Sequence, residues 1–271
     1  EKPMPARPND AAVFHALHQD FLILPNAWDA ASAKIVELAG AKAIATTSAG
    51  VAWAHGFADG HGLPIAKLVT SVEEIARVVS LPLSADAEAG YADDPAQVGE
   101  NVAALIQAGA VGINLEDGAA PHDVHLRKVE AARAVALREG VDLFINARTD
   151  VYLKQLAPPA QAVAETVRRA RALREAGASG LFVPGVKDAS EIGAIAQGAG
   201  MPVNIMARPG VPKLGELKAL GVRRISAATS IFNAAMEGAR AAAVEFLADG
   251  DSDALWARRG QPPNYNELFG G

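Results

Sequence analysis

The chain has 271 residues, half of them apolar, with a formal net charge of −6. That length suffices for one large α/β core, and an acidic balance without any Lys/Arg cluster gives no basis for binding nucleic acid or an anionic membrane. The absence of cysteine excludes disulfides, thiolate metal sites and a thiol nucleophile.

Residues 1–8, Glu1-Lys2-Pro3-Met4-Pro5-Ala6-Arg7-Pro8, read as a flexible tail. They lack an apolar core of signal-peptide length, and no run approaches the roughly 20 apolar residues of a membrane span, so a cytoplasmic protein is expected. Asn9 or Asp10 is placed to cap a short helix carrying Val13, Phe14 and Leu17. Eight β-type runs follow, at residues 21–24, 43–47, 81–85, 111–115, 143–146, 180–183, 203–206 and 223–226. Between them, stretches such as 100–108, 163–175 and 188–196 are rich in Ala, Leu, Arg and Glu, which favours helix. Ala-Gly-Ala precedes three of the runs, at 39–41, 108–110 and 176–178, and Leu220-Gly221-Val222 precedes the last. A glycine that ends a helix and hands the chain to a strand accounts for each copy.

Eight strand-helix units, apolar on both strand faces and without hairpin signals, predict an α/β fold, a (β/α)8 TIM barrel, rather than an open doubly wound sheet. The chain is read as a single barrel domain over 1–271, with the N-terminal helix closing one end. Residues 249–271 turn polar and proline-rich around Trp256, Tyr265, Leu268 and Phe269, and read as an interface tail that docks on another subunit or packs on its own barrel.

In such a barrel the chemistry gathers where strands end and βα loops begin. The residues there are Asn26 and Asp29, Ser48-Ala49-Gly50, Asp86 and Glu88, Glu116 and Asp117, Arg148 and Asp150, Pro184 and Gly185, Arg208, and Ala227 to Thr229. Several acids and two arginines around one centre suit a hard divalent cation together with an anionic ligand. Asp86 and Glu88 leave one strand as alternate residues, so one is expected to bind the ion directly and the other through water, with Glu116 completing the ring. Ser48-Ala49-Gly50 reads as a small-residue turn whose N–H groups cradle a carboxylate or phosphate. Arg148 is expected to meet Asp150, Glu116 or a developing enolate oxygen. Asp93 or Asp94, before Pro95, reads as a helix cap. His55 and His61 flank Asp59 on a long loop, as a lid, a substrate contact or ordinary loop residues. His122 and His125 read as a polar loop rather than a zinc pair.

With Thr47-Ser48-Ala49-Gly50, Asp86-Ala87-Glu88-Ala89-Gly90-Tyr91, Asn114-Leu115-Glu116-Asp117 and Ala147-Arg148-Thr149-Asp150 in this order, the chain resembles the isocitrate lyase/phosphoenolpyruvate mutase superfamily from about Leu24 to Phe246. The resemblance implies a TIM barrel, a C-terminal helix exchanged between subunits, and a homo-oligomer built as a dimer of dimers. It implies Mg2+, with Mn2+ as the alternative, and a small 2-oxo acid or its enolate as partner. Carried over by position, Ser48, Ala49 and Gly50 hold the substrate carboxylate, and Asn204 contacts substrate. Asp86 is the direct metal ligand, Asp59, Glu88 and Glu116 bind its waters, and Arg148 meets the oxyanion.

Two departures narrow the activity. The lyase branch carries a Lys-x-Cys-Gly-His loop after the fourth strand, whereas this chain reads Asp117-Gly118-Ala119-Ala120-Pro121-His122-Asp123, and the branch's glutamate after the sixth strand is replaced by Gly185. The longer lysine- and asparagine-bearing lid of the mutases is also missing. The expectation is a Mg2+-dependent C–C lyase acting next to a 2-oxo carboxylate, like oxaloacetate decarboxylase or methylisocitrate lyase but not isocitrate lyase, with His122 or a bound water moving the proton. The alternatives are a mutase or hydrolase acting on a P–C bond, and a 2-oxo acid binding protein without turnover.

Overall fold

Pro25 has no N–H to give a β ladder; it ends the first expected strand, and a short segment that was not expected follows it. β1 (Leu22–Leu24) pairs with the last strand, β9 (Arg224–Ser226), while β2 (Asn26–Ala27) pairs with β3 (Ile44–Thr46). Between β3 and β9 run β4 (Leu83–Asp86), β5 (Gly112–Glu116), β6 (Phe144–Arg148), β7 (Gly180–Val183) and β8 (Val203–Met206). All pairings are parallel, in the order β1-β9-β8-β7-β6-β5-β4-β3-β2. The ends of that list are consecutive in the chain, so the segment around Pro25 bridges the ring. Asn26 reinforces the seam, donating to the Thr46 carbonyl at 2.7 Å and accepting from the Ala228 N–H at 2.9 Å. The result is the expected α/β TIM barrel, with nine strand segments in place of eight.

The structure, a computed structural model, describes residues 8–118 and 120–270. Its helices are α1 (Pro8–Leu17), α2 (Ala30–Leu38), α3 (Ser48–Ala54), α4 (Ile65–Val78), α5 (Pro95–Gln107), α6 (His122–Arg138), α7 (Ala162–Glu175), α8 (Ala189–Gly198), α9 (Leu214–Ala219), α10 (Ser230–Asp249), α11 (Ser252–Arg258) and α12 (Tyr265–Phe269). The tail expected at 1–8 lies outside the described residues except for Pro8, which opens α1. Asp29 and Asp94 serve as N-caps, accepting from Ser32 and Ala96 N–H. The Ala-Gly-Ala repeats end helices as expected. Gly109 sits at φ +112°, and the Ala110 N–H reaches back to the Leu105 carbonyl at 3.0 Å, a left-handed closure that a Cβ would oppose.

The chain forms two compact units, one ending at Ala228 and one beginning at Thr229. The second unit holds α10 to α12, where Arg258 pairs with Glu245 and Arg259 lies 3.6 Å over the Trp256 ring. No helix among the described residues is long and apolar enough to cross a membrane.

In the first unit, α1 plugs the N-terminal end of the barrel. Phe14 is fully buried and meets Phe144 edge-on at 5.4 Å, and a Cβ at Gly112 would stand 2.6 Å from the Phe14 ring. His18 stacks on Phe144 at 3.9 Å and donates from Nδ1 to the Phe14 carbonyl at 2.8 Å. Burial, then the nearby Arg224 charge, lowers its pKa to about 3. A base depressed in the folded state contributes stability above its unfolded pKa and loses it as pH falls toward the folded value. Urea unfolding of the wild type is therefore expected to weaken from pH 6.5 down toward 3, by about 1.4 kcal/mol per unit at its steepest. His18→Gln is expected to flatten that window, and an unchanged slope in the variant would contradict the assignment.

Candidate active site

Strand ends bring the acids together. Asp86 closes β4, Glu116 closes β5 and Arg148 closes β6, and the ladder sets Glu116 directly opposite Arg148. The Asp86 N–H donates to Thr46 Oγ1 at 2.7 Å, and the Ser48 N–H donates to Asp86 Oδ2 at 3.1 Å. Asp86 Oδ1 is buried and has no hydrogen-bond partner among the described residues. Ser48, Ala49 and Gly50 do not form the expected turn. They are the first turn of α3, because small residues without Pro or a left-handed glycine allow the helix to begin directly after β3.

Arg148 is the hub. Its Nε and NH2 donate to the two oxygens of Asp150 at 2.7 and 3.1 Å, and NH1 lies 2.6 Å from Glu116 Oε2. Burial opposes its charge, but Glu116 and Asp150 outweigh that and hold the guanidinium protonated well above its ordinary range. A guanidinium carries five N–H donors, so two remain for a ligand. Glu116 is raised to about 7, chiefly by burial, with Arg148 pulling it down and Asp86 and Asp150 pushing it up. Asp117, in contrast, is spent on structure: it accepts from Thr149 Oγ1, the Asp150 N–H and Arg169 at 2.7, 3.0 and 2.9 Å.

Glu88 adopts φ +47°, and its neighbours His61 and Tyr91 adopt +64° and +57°. Three non-glycine residues in the left-handed region mark stored strain. The bonds that hold it are the His61 N–H to Glu88 Oε2 at 2.5 Å, the Ala89 N–H to His61 Nε2 at 3.1 Å and Tyr91 OH to Glu88 Oε1 at 2.9 Å. Burial raises the Glu88 carboxyl above its ordinary range. His61 thus latches the loop that follows α3 onto the β4 exit. Asp59 is exposed on that loop, near enough for its charge to bear on the Tyr91 phenol.

The mouth holds a cavity of about 260 Å³ lined by His61, Glu88, Glu116, Gly118, Lys128 and Lys154, among others. His122 is not part of its wall, and neither are Asp86, Arg148, Ser48 or Asn204; Glu116 joins the wall to Arg148 through their ion pair. The chain is already helical at His122, whose ring lies within reach of the Arg169, His125 and Asp117 charges, and burial lowers its pKa to about 4. A larger surface depression of about 580 Å³ lies between α7 and α8 and contains none of the expected site residues.

Under the mouth, Asn204 and Arg224 are register partners on β8 and β9. Asn204 Nδ2 is a buried donor without a partner among the described residues, and Arg224 crosses the barrel to Asn114 Oδ1 at 3.3 Å. Burial lowers Arg224 to about 9, and Asp86 is the acid whose charge sustains it. Nothing in a strand of pattern Arg-Ile-Ser announces that role. Gly185 stands at φ +96°, and a Cβ there would come within 3.1 Å of the Leu153 N atom. The backbone of residues 152–153 therefore occupies the space in which a side chain at 185 would begin.

Among the described residues, no three His, Asp or Glu side chains close on one point tightly enough to enclose an ion directly. An ion held by one carboxylate and its own waters asks for less, and the unpartnered Asp86 Oδ1 beside two elevated glutamates fits that donor set.

The sequence matches the profile of the phosphoenolpyruvate phosphomutase family over residues 14–247. It is 35% identical over 242 residues to an uncharacterized protein of Mycobacterium tuberculosis, covering 88% of this chain and 90% of the relative. It is 31% identical over 170 residues to an oxaloacetate decarboxylase of Ectopseudomonas mendocina, covering 59% of this chain and 57% of the relative. A solved structure from Burkholderia cenocepacia, provisionally named a phosphonomutase, superposes with a TM-score of 0.84 at 40% identity, covering 88% of this chain and 98% of that one. By sequence and by fold, the chain belongs to the phosphoenolpyruvate phosphomutase family of the phosphoenolpyruvate mutase/isocitrate lyase superfamily and is an enzyme of that lyase and mutase group.

Proposed function

We propose that the chain is a Mg2+-dependent lyase that cleaves a C–C bond next to a 2-oxo carboxylate by way of an enolate, in the manner of oxaloacetate decarboxylase or methylisocitrate lyase. The observation that carries this reading is Arg148, half-buried between Glu116 and Asp150 with donors to spare, beside an Asp86 oxygen without a partner among the described residues. Asp86 is the direct ligand of the ion, and Asp59, Glu88 and Glu116 hold its waters, with Mn2+ as the substitute metal. Bound there, the ion supplies Lewis-acid polarisation of the keto oxygen. Ala49 and Gly50 offer backbone N–H groups to the substrate carboxylate, Ser48 offers its hydroxyl because its N–H is held by Asp86 Oδ2, and Asn204 Nδ2 offers a further donor. Arg148 stabilises the oxyanion as the bond breaks, a contribution of about 3–4 kcal/mol in comparable sites. The proton is carried by His122, which burial favours in its neutral form, or by a bound water. Exposed apolar side chains on α10, among them Val244 and Leu247, support the dimer of dimers with exchanged C-terminal helices.

P–C bond chemistry is the second reading, favoured by the family profile and by the 40% identical Burkholderia cenocepacia structure. The loop between β5 and α6 spans only residues 117–121, which leaves little to shield a metaphosphate-like species from water. A steady-state screen with Mg2+ separates these readings, using oxaloacetate, hydroxy tricarboxylates of methylisocitrate type and phosphonopyruvate. Cleavage of one of the first two is the expected result. Turnover of phosphonopyruvate alone would favour the second reading, thermal stabilisation by oxalate without turnover would leave a 2-oxo acid binding protein, and neither binding nor turnover would overturn both.

A further inference from the structure

The cavity at the mouth is lined by four acids, Glu88, Asp93, Glu116 and Asp117, and by two lysines, Lys128 and Lys154. Lys128 is committed: it is 3% exposed and its Nζ donates to the Ala89 carbonyl at 2.9 Å. Lys154 is not. Its side chain is 40% exposed, and its only acid partner among the described residues is Asp150 Oδ2 at 3.3 Å, an oxygen that already accepts from Arg148 at 3.1 Å. An ammonium has three N–H donors, so capacity remains for a ligand.

The position of that ammonium is built by the fold. Lys154 lies in the turn that follows β6, where its N–H donates to the Asp150 carbonyl at 2.8 Å and the Leu156 N–H closes on the Val151 carbonyl at 3.0 Å. Asp150 is itself clamped by Arg148 and by its N–H bond to Asp117. A Cβ built at Gly118 would stand 3.8 Å from Lys154 Nζ and 3.9 Å from Glu116 Oε1, so the ammonium and the site carboxylate bracket the same spot at the root of the β5–α6 loop. That loop, Asp117-Gly118-Ala119-Ala120-Pro121, brings no cation of its own. Glu116 both pairs with Arg148 at 2.6 Å and lines this cavity, so a ligand held at Arg148 reaches the cavity past Glu116, where Lys154 is the cation with donors to spare.

We propose that Lys154 is a specificity-determining residue whose ammonium binds the outer carboxylate of a 2-oxo dicarboxylate, which selects dianionic substrates over monocarboxylic 2-oxo acids. The assignment rests on the reading of the mouth as a 2-oxo acid site. It also makes a kinetic demand. Where that outer carboxylate is the group lost as CO2, Lys154 binds the ground state better than a transition state whose charge is moving to the keto oxygen, so its loss should raise KM without lowering kcat.

The test is calorimetric titration of the full chain, with Mg2+ present, using pyruvate, oxalate and 3,3-difluorooxaloacetate as probes on wild type, Lys154→Met and Lys154→Arg. The wild type is expected to prefer the difluoro diacid to pyruvate. Lys154→Met should weaken the diacid about twofold to fivefold, the range of a partly exposed charge pair, with pyruvate and oxalate unchanged and Lys154→Arg recovering most of the loss. With oxaloacetate as substrate, Lys154→Met should raise KM and leave kcat equal to the wild-type value or higher. Equal weakening of all three probes, or none, would overturn the proposal, as would a collapse of kcat at constant KM, which would make Lys154 a proton donor. Failure of the wild type to bind any probe would overturn the 2-oxo acid reading and this assignment with it, whereas retained oxalate binding with no diacid preference overturns this assignment alone.

Discussion

Asp86→Asn is expected to lower kcat/KM by about a thousandfold or more while the protein stays folded, because the substitution removes the charge that would hold the ion and keeps the shape of the side chain. The bonds around Asp86 explain why the fold should survive. Its backbone N–H is held by Thr46 Oγ1, and the Ser48 N–H needs an oxygen acceptor that an asparagine amide still provides. What disappears is the negative charge beside an otherwise unpartnered Oδ1 and facing the buried Arg224. Calorimetric titration should then show loss of Mg2+-dependent oxalate binding, while the circular dichroism spectrum remains that of the wild type. Turnover within tenfold of the wild type would remove Asp86 from the centre of the site.

Arg148→Met is expected to have the largest effect on stability, about 3 kcal/mol, because it removes the guanidinium shared by the half-buried Glu116 and the buried Asp150 and leaves Asp150 only Lys154 at 3.3 Å. The loss should depend on pH. Glu116 is already raised to about 7 in the fold, and a carboxyl raised in this way stabilises the folded state below its unfolded pKa and loses that contribution as pH rises through the folded value. Without Arg148 the value rises further, so the variant should be penalised more at pH 8 than at pH 5.5 when unfolded in urea with a chelator present. The double variant Arg148→Met, Glu116→Gln should recover part of the loss at pH 8. A deficit that is equal at both pH values would show that Glu116 is not the group left uncompensated.

Much of the architecture was legible because it is local. Helix-ending glycines, apolar runs of strand length and the cap at Asp94 depend on residues within one or two turns of each other, and each appears in the structure as read. The end of the first strand depends on Pro25, whose missing N–H is also a local property, yet its consequence, one segment serving both neighbours across the seam, emerges only when the ring closes. Ser48 to Gly50 form a helix in place of the expected turn for a related reason: small residues are compatible with a loop and with the first turn of a helix, and what decides is whether the backbone continues into the turns of α3.

The candidate site divides in the same way. That Asp86, Glu116 and Arg148 leave adjoining strands follows from order along the chain, since parallel neighbours of a barrel deliver their C-terminal residues to one end. Which partners they take does not follow. Arg148 bridges Glu116 and Asp150 because the β5–β6 register sets it opposite one and the turn after β6 brings back the other. His122 lies off the wall because α6 has already begun at that position. Glu88 is strained because a loop 27 residues earlier in the chain returns to bond it, and Arg224 becomes part of the site floor by crossing a barrel of fixed diameter to Asn114. Residue identity alone set the chemistry available to this protein: carboxylates, guanidinium and ammonium groups, and no thiol. The tertiary structure decided which of those charges are buried together and which remain uncommitted, because desolvation and pairing depend on distances between segments that only the closed barrel defines.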